Sequence, residues 1–390
     1  MSRAFADSID ALTADDLVAR GSGKWTRFPG ALGAFVAEHD FGLAPPISEA
    51  LHRMVDGFNF GYLPNPLADQ MREATAGYVA RHGWTLDPAH VTPLPDVLSG
   101  LQIAMDLLLP EGAKVVLPTP AYMPFLTMPG RAHRELAEVP MLRTESGWEY
   151  DFDALEAVFE QGDLLILCNP HNPIGKVSTR EELLRLSEIV EANHGLVYND
   201  EIHAPIVLPG ATHVPYHALS EATAAHTVTS MAASKAWNLP GLKGAQFVVT
   251  GERLRKLWEP IAFGRSHETA TPGVVATIAA YTEGQPWLDE VLEYLDDTRQ
   301  VLAEAIATHL PGVGHIRPEG TYLAWLETEH LGLENPQQFF LEKARVALTD
   351  GAACGQAGRG RVRLNFGTPR PIVVEMVERM GEAVKGVSRE

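Results

Sequence analysis

Cysteine is nearly absent from the 390 residues: Cys168 and Cys354 are the whole complement, and no CxxC pair occurs. Neither a disulfide framework nor a thiolate zinc site is supported, and a reducing cytoplasm is the expected setting. Positive charge is short as well. Against 50 acidic side chains stand 31 basic ones, a net charge of −19, which argues against non-specific binding to nucleic acid or to an acidic membrane. No apolar run approaches a membrane span, and the opening Met-Ser-Arg-Ala-Phe-Ala-Asp-Ser lacks the apolar core of a signal peptide. The partner that remains is a small molecule. The rest of the composition, 45% hydrophobic and 21% charged residues, is that of an ordinary folded protein, and the length suggests two domains.

The first forty-odd residues read as an arm, with a turn-rich Arg20-Gly-Ser-Gly-Lys-Trp25 and one short apolar strand from Gly33 to Phe41. Apolar residues then recur at helical spacing over Ile47–Met54 and Pro66–Arg81, and Tyr62 sits in the loop between them. Asp96–Leu109 reads as a helix opened by Ser99-Gly100-Leu101-Gln102, where free N–H groups and the helix dipole can hold a phosphate. Buried strands follow at Lys114–Leu117 and Asp163–Cys168, the latter a continuous apolar run of the parallel-sheet type. Ser178-Thr-Arg-Glu181 is a capping box opening a helix to about Asn193, and Gly195–Asn199 returns as a strand ending on Asp200. Strand, helix, strand with ligands at the carboxyl ends is the doubly wound α/β pattern. His226–Ala233 and Ala245–Val249 read as further strands. Helical patterns fill Pro286–Leu310, and a smaller α+β region follows: strand Thr321–Leu326, helix Pro336–Leu348, strand Val362–Phe366, helix Val373–Val384. The expected division is an arm with part of the small domain (1–45), a large domain (46–285) and a small domain (286–390).

Lys235 stands in Ser230-Met-Ala-Ala-Ser-Lys-Ala-Trp-Asn-Leu-Pro-Gly-Leu-Lys-Gly244, and alone it would pass for a loop lysine. Its context changes that. Asn172, in Cys168-Asn-Pro-His-Asn-Pro-Ile-Gly-Lys176, precedes Asp200 by 28 residues, and Asp200 precedes Lys235 by 35. In that order and spacing the three resemble the pyridoxal phosphate (PLP) enzymes of fold type I, the aspartate aminotransferase-like family. The resemblance implies a large doubly wound domain with a mixed, mostly parallel sheet, plus the smaller α+β domain. A lysine amine can hold an aldehyde cofactor as a Schiff base, and PLP sites pair that lysine with an acid at the pyridinium nitrogen. Asp200 would be that acid, and Asn172 would donate to the ring's phenolic oxygen.

The same resemblance implies roles for other positions. Gly100 and Leu101 would meet the cofactor phosphate, joined by Lys243 and by Ser234, the latter because Ala232 stands where the family usually has a serine. Tyr122 would stack on the ring beside His203, and Tyr62 would reach across a homodimer interface to the partner's phosphate. Arg363, in Arg363-Leu-Asn365, would clamp the substrate α-carboxylate, for which a planar guanidinium is suited, with Ala37 also at the substrate. Lys24-Trp25, Ala34-Phe-Val-Ala-Glu-His-Asp-Phe41, Pro45-Pro46 and Asp200-Glu-Ile-His203 look like the cystathionine β-lyase branch of MalY/PatB-type C–S lyases. That branch usually reads Val-Ala-Asp-Met-Asp-Phe where this chain has Val36-Ala-Glu-His-Asp-Phe41. The expected activity is cleavage of cystathionine or another cysteine S-conjugate to a thiol, pyruvate and ammonia, with an aminotransferase as the alternative. A PLP-sensing transcription regulator would need a DNA-binding domain, for which the short arm leaves no room.

Overall fold

The computed structural model describes residues 1–387. Short runs rich in Val, Leu and Ile form the strands of the central sheet, and all but the edge strand Leu136–Pro140 are buried on both faces. The sheet has seven: β2 (Val91–Leu94), β3 (Val115–Thr119), β4 (Leu136–Pro140), β5 (Leu164–Cys168), β6 (Leu196–Asp200), β7 (Thr227–Met231) and β8 (Ala245–Val249). Their order is β2-β8-β7-β6-β5-β3-β4, and β8 alone runs against its neighbours.

Helices cover both faces. The helix Arg180–Ala192 starts at a Thr179/Glu182 capping box and buries Leu183, Leu186, Ile189 and Val190 against Leu165, Leu167 and Val197 of the sheet. Each such side chain contributes roughly 1.5–3 kcal/mol on full burial. On the other face the helices Asn65–Ala80 and Thr271–Glu283 pack together, with the rings of Tyr78 and Tyr281 stacked at 4.3 Å.

The C-terminal third carries β9 (Gly314–His315), β10 (Leu323–Glu327), β12 (Thr349–Asp350) and β13 (Arg361–Asn365), antiparallel in the order β9-β10-β13-β12. Alternation along β13 decides its use. Val362 and Leu364 join the apolar core with Val373, Met376 and Val377 of the helix Arg370–Val387, while Arg363 and Asn365 point the other way, toward residues 35–38.

The arm departs from its sequence reading. It forms three short helices, Arg3–Asp10, Ala14–Ala19 and Gly23–Thr26, the first two capped by the Ser2 and Thr13 hydroxyls. The strand expected over Gly33–Phe41 is only two residues long, β1 (Leu32–Gly33), paired parallel with β11 (Val346–Ala347). Beyond it the backbone is bonded mostly to side chains and not to a strand. The helix expected over Pro336–Leu348 is also shorter. It runs Pro336–Phe339 and through a wider π turn to Ala344, then stops because Arg345 takes a left-handed φ of 58° and its carbonyl accepts from Leu32 N.

Candidate active site

Four adjacent parallel strands, β3, β5, β6 and β7, end side by side, and the chain leaving each carries one candidate residue: Tyr122, Asn172, Asp200 and Lys235. Register fixes the alignment, since Cys168 is opposite Asp200 and Asp200 opposite Ser230. A cleft at the carboxyl ends of such a sheet is where open α/β folds bind ligands. Here it is a pocket of about 390 Å³ lined by these four residues together with Ala37, His203, Ser234, Lys243 and Arg363. A wider surface cleft of about 550 Å³ beside Pro110, His194 and His226 shares none of them.

Lys235 Nζ donates to Ala37 O at 2.9 Å, and burial, then the Arg363 guanidinium, lower its pKa to about 8. Asp200 is 2% exposed and accepts a hydrogen bond from Ile202 N at 3.0 Å. Burial raises its pKa to about 7, and among the described residues no cation lies within ion-pair distance of it. Arg363 is fully enclosed. It donates to Asn172 Oδ1 (3.0 Å), Phe35 O (2.7 Å) and Thr349 Oγ1 (3.0 Å). Because Arg363 takes its oxygen, Asn172 keeps its amide nitrogen as the free end. His203 is held neutral, its pKa lowered to about 3 by burial and then by Lys235 and Arg363. Burial raises the Tyr122 phenol, which stays protonated.

Gly100 and Leu101 do not reach the pocket. Asp96 caps the helix by accepting from Ser99 N, so the helix begins at Val97, and Val97 and Leu98 line the pocket instead. Gly100 lies one turn further in, against β7 and β8. A β-carbon there would lie 2.2 Å from Ser230 Oγ and 2.9 Å from the Phe247 ring, so glycine is what lets the helix approach. Lys243 Nζ is paired with Asp96 Oδ2 at 3.0 Å, at the start of this helix. Tyr62 lies outside the pocket, 81% exposed, with its ring stacked on His267 at 4.9 Å.

Of the residues that act through their backbone, the sequence reading named Ala37, expected at the substrate, and missed Phe35, Val36 and Glu38. Ala37 O accepts from Tyr322 Oη at 3.1 Å as well as from Lys235, and Asn365 Nδ2 donates to Val36 O and Glu38 O, both at 2.6 Å. Behind them Lys24 Nζ reaches Asp40 Oδ2 (2.7 Å), Glu38 O (3.1 Å) and Gly367 O (3.3 Å), and Trp25 Nε1 donates to Asp40 Oδ1 (2.9 Å). A carbonyl leaves no trace in residue type. Only the side chains that serve it, Lys24, Trp25 and Asn365, were visible.

A model of the aminotransferase class I and II family matches residues 39–380. The chain belongs to that family. Within it, a putative cystathionine β-lyase of Mycobacterium leprae (strain TN) is 36% identical over 408 residues, covering 97% of this chain and 98% of that protein. The cystathionine β-lyase of Corynebacterium glutamicum is 35% identical, covering 95% and 98%. Among solved structures, the PLP-bound putative aminotransferase from Clostridium difficile 630 superposes with a TM-score of 0.91 at 30% identity, over 96% of this chain and 99% of that one. The family's α/β fold, with its mixed, mostly parallel sheet, is the one expected from the sequence.

Proposed function

We propose that the chain is a PLP-dependent carbon–sulfur β-lyase acting on L-cystathionine or a related cysteine S-conjugate, with a thiol, pyruvate and ammonia as products. Asp200 carries the cofactor half of this reading. A buried carboxylate with no cation within ion-pair distance, only the field of Lys235 further off, is costly unless a counter-charge arrives, and a protonated pyridine nitrogen is such a charge. The helix N-terminus at Val97 and Leu98, with Lys243 beside it, fits the phosphate. The reaction half is supported by relatives that bear the name cystathionine β-lyase and match along nearly the whole chain.

When bound, PLP supplies an aldehyde that takes up an amine and a ring that accepts the electrons of a bond broken at the substrate Cα. Lys235 would hold the cofactor through its amine, and its Nζ, once free, would take the Cα proton of the substrate. A pKa near 8 lets Nζ exchange a proton close to neutral pH. Asp200 would hold the ring nitrogen protonated, and Asn172, whose oxygen Arg363 takes, would have its amide N–H left to donate to the phenolic oxygen. Arg363 grips the α-carboxylate with its donors in a fixed fork and turns the Cα–H bond toward Lys235. Tyr122 presents its ring to the cofactor, His203 lies beside it as a neutral side chain, and Ser234 stands in for the serine that Ala232 replaces. With the Cα proton removed, the Cβ–S bond breaks, the thiolate leaves, and the three-carbon remainder is hydrolysed to pyruvate and ammonia.

This reading includes a homodimer in which Tyr62 completes the partner's site. The exposure of Phe58, Phe60 and Tyr62 on one loop supports it. It also includes the division into a large domain and a small one, and a cytoplasmic setting; no helix among the described residues is long and apolar enough to cross a membrane. The deciding experiment supplies L-cystathionine without any 2-oxo acid. Pyruvate and a free thiol should appear in equal amounts. If no thiol is released, and the substrate's own oxo acid forms only on adding a 2-oxo acid, the protein is an aminotransferase and not a lyase.

A further inference from the structure

Four cationic side chains line the pocket: Arg27, Lys235, Lys243 and Arg363. Three of them already have oxygen partners. Lys235 is bonded to Ala37 O, Lys243 to Asp96, and Arg363 to Asn172, Phe35 O and Thr349. Arg27 differs. Its guanidinium carbon lies 5.7 Å from the Phe28 ring and 5.6 Å from the Phe35 ring, and among the described residues no carboxylate pairs with it. The two rings meet edge to face at 5.1 Å, so they present a fixed corner to the side chain. Aromatic faces position a guanidinium without using its N–H donors, and those donors stay free for a planar anion. Phe35 also gives its carbonyl to Arg363, so a single residue stands between the two guanidinium groups.

We propose that Arg27 forms a distal subsite that binds the carboxylate at the far end of the S-linked group, while Arg363 holds the α-carboxylate. The inference rests on the lyase reading and narrows it to a substrate class: cysteine S-conjugates that carry a second carboxylate beyond the sulfur. The charges in the pocket agree. Among the described residues Asp96 and Asp200 are its only carboxylates, Asp96 is spent on Lys243, and Asp200 is buried at the carboxyl end of β6. The mouth at Arg27 is left with an uncompensated positive charge.

The test compares L-cystathionine with S-(3-aminopropyl)-L-cysteine, which keeps the distal ammonium and lacks only the distal carboxylate. The quantity read is the ratio of their kcat/KM values in the holoenzyme. Wild type should favour cystathionine, and Arg27→Gln should lower that ratio about tenfold, as expected for one charge-assisted pair at a partly exposed site. Arg27→Lys, which keeps the charge and loses the fork, should fall between them. Added salt should shrink the wild-type ratio and leave that of Arg27→Gln nearly constant. An unchanged ratio in Arg27→Gln overturns the subsite, and so does an equal loss on both substrates, which would place Arg27 at the cofactor or in the fold. If wild type releases thiol from neither compound, the lyase reading is what fails. The affinities for the two compounds, followed by the change in cofactor absorbance, then still give the ratio that decides the subsite.

Discussion

The ends of β5, β6 and β7 and the segment from Phe35 to Asp40 face the same pocket but contribute different things to it. The strand ends supply side chains whose chemistry is their identity: an amide, a carboxylate, an amine. The segment supplies carbonyl oxygens, which hold Lys235, Arg363 and Asn365 in place. Function written in side chains is specified by residue type and spacing. Function written in the backbone is specified by whatever holds that backbone still, here Lys24 and Asp40 on one side and β13 on the other.

Variants can break or sharpen this contrast. The largest expected effect is at the strand ends. Lys235→Ala should lower pyruvate release from cystathionine by at least about 10³-fold and abolish the cofactor's imine absorbance, since Lys243, the other pocket amine among the described residues, is already paired with Asp96. Survival of that absorbance would move the central role to Lys243.

Asp200→Asn should cost about 10²-fold in turnover, because an amide does not hold the ring nitrogen protonated. The same substitution should stabilise the cofactor-free protein, with a distinct pH dependence. Well below the ordinary value of 3.8 the carboxyl is protonated both folded and unfolded, and the two proteins should differ little. Between the ordinary carboxylate value near 3.8 and the folded value of about 7, the unfolded chain loses the proton first, so wild type loses stability as pH rises and the variant does not. The gap in denaturant midpoints should widen across that window and stay constant above it. A gap independent of pH would mean that Asp200 is not the carboxylate that burial perturbs.

The arm should answer in stability. Asp40→Asn removes the charge facing Lys24, whose side chain is fully buried, and should cost about 3 kcal/mol by denaturant unfolding. If unfolding is unaffected while turnover collapses, the arm acts on the chemistry and not through the fold, and the contrast drawn above is wrong. The smallest effect is expected where the two regions meet. Arg363→Lys keeps the charge and loses the fork, so KM should rise and kcat fall together, by about tenfold in kcat/KM. No change in either constant would show that no α-carboxylate is read there.

Legibility followed the same division. Lys235, Asp200, Asn172 and Arg363 were readable because each chemistry needs that side chain at that point of a strand–loop pattern, and the structure brings all four to one pocket. Gly100 and Leu101 lie one turn beyond the helix start that lines the pocket, Val97 and Leu98. The glycine drew attention to Ser99–Gly100, but the helix start is set by Asp96, whose Asp-x-x-Ser spacing was available in the sequence. The arm helices carried a readable signal too, the Thr13/Asp16 capping box. The strand proposed over Gly33–Phe41 failed for a different reason. Its apolar residues are mostly buried as a strand's would be, yet its backbone is bonded to Arg363 and Asn365, more than 300 residues away, and to side chains such as Lys235 and Tyr322. Helical propensity also ran past Ala344, where pairing with Leu32–Gly33 outweighed it.

That separation bears on how the protein is made. Phe35 and the arginine that grips its carbonyl are 328 residues apart in the chain. At roughly 5–20 residues per second, a ribosome needs about a quarter of a minute to a minute to get from one to the other. Throughout that interval β1 and the carbonyls of Phe35 to Glu38 lack β11, Arg363 and Asn365. The central sheet, with Asn172, Asp200 and Lys235 at its strand ends, is synthesised by residue 249 and can assemble earlier. The pocket is therefore roofed last, by the first and last parts of the chain to be translated. A nascent chain stalled after Lys235 would hold the reactive amine and the carbonyl it bonds, but not Arg363 and Asn365, which fix that stretch of backbone.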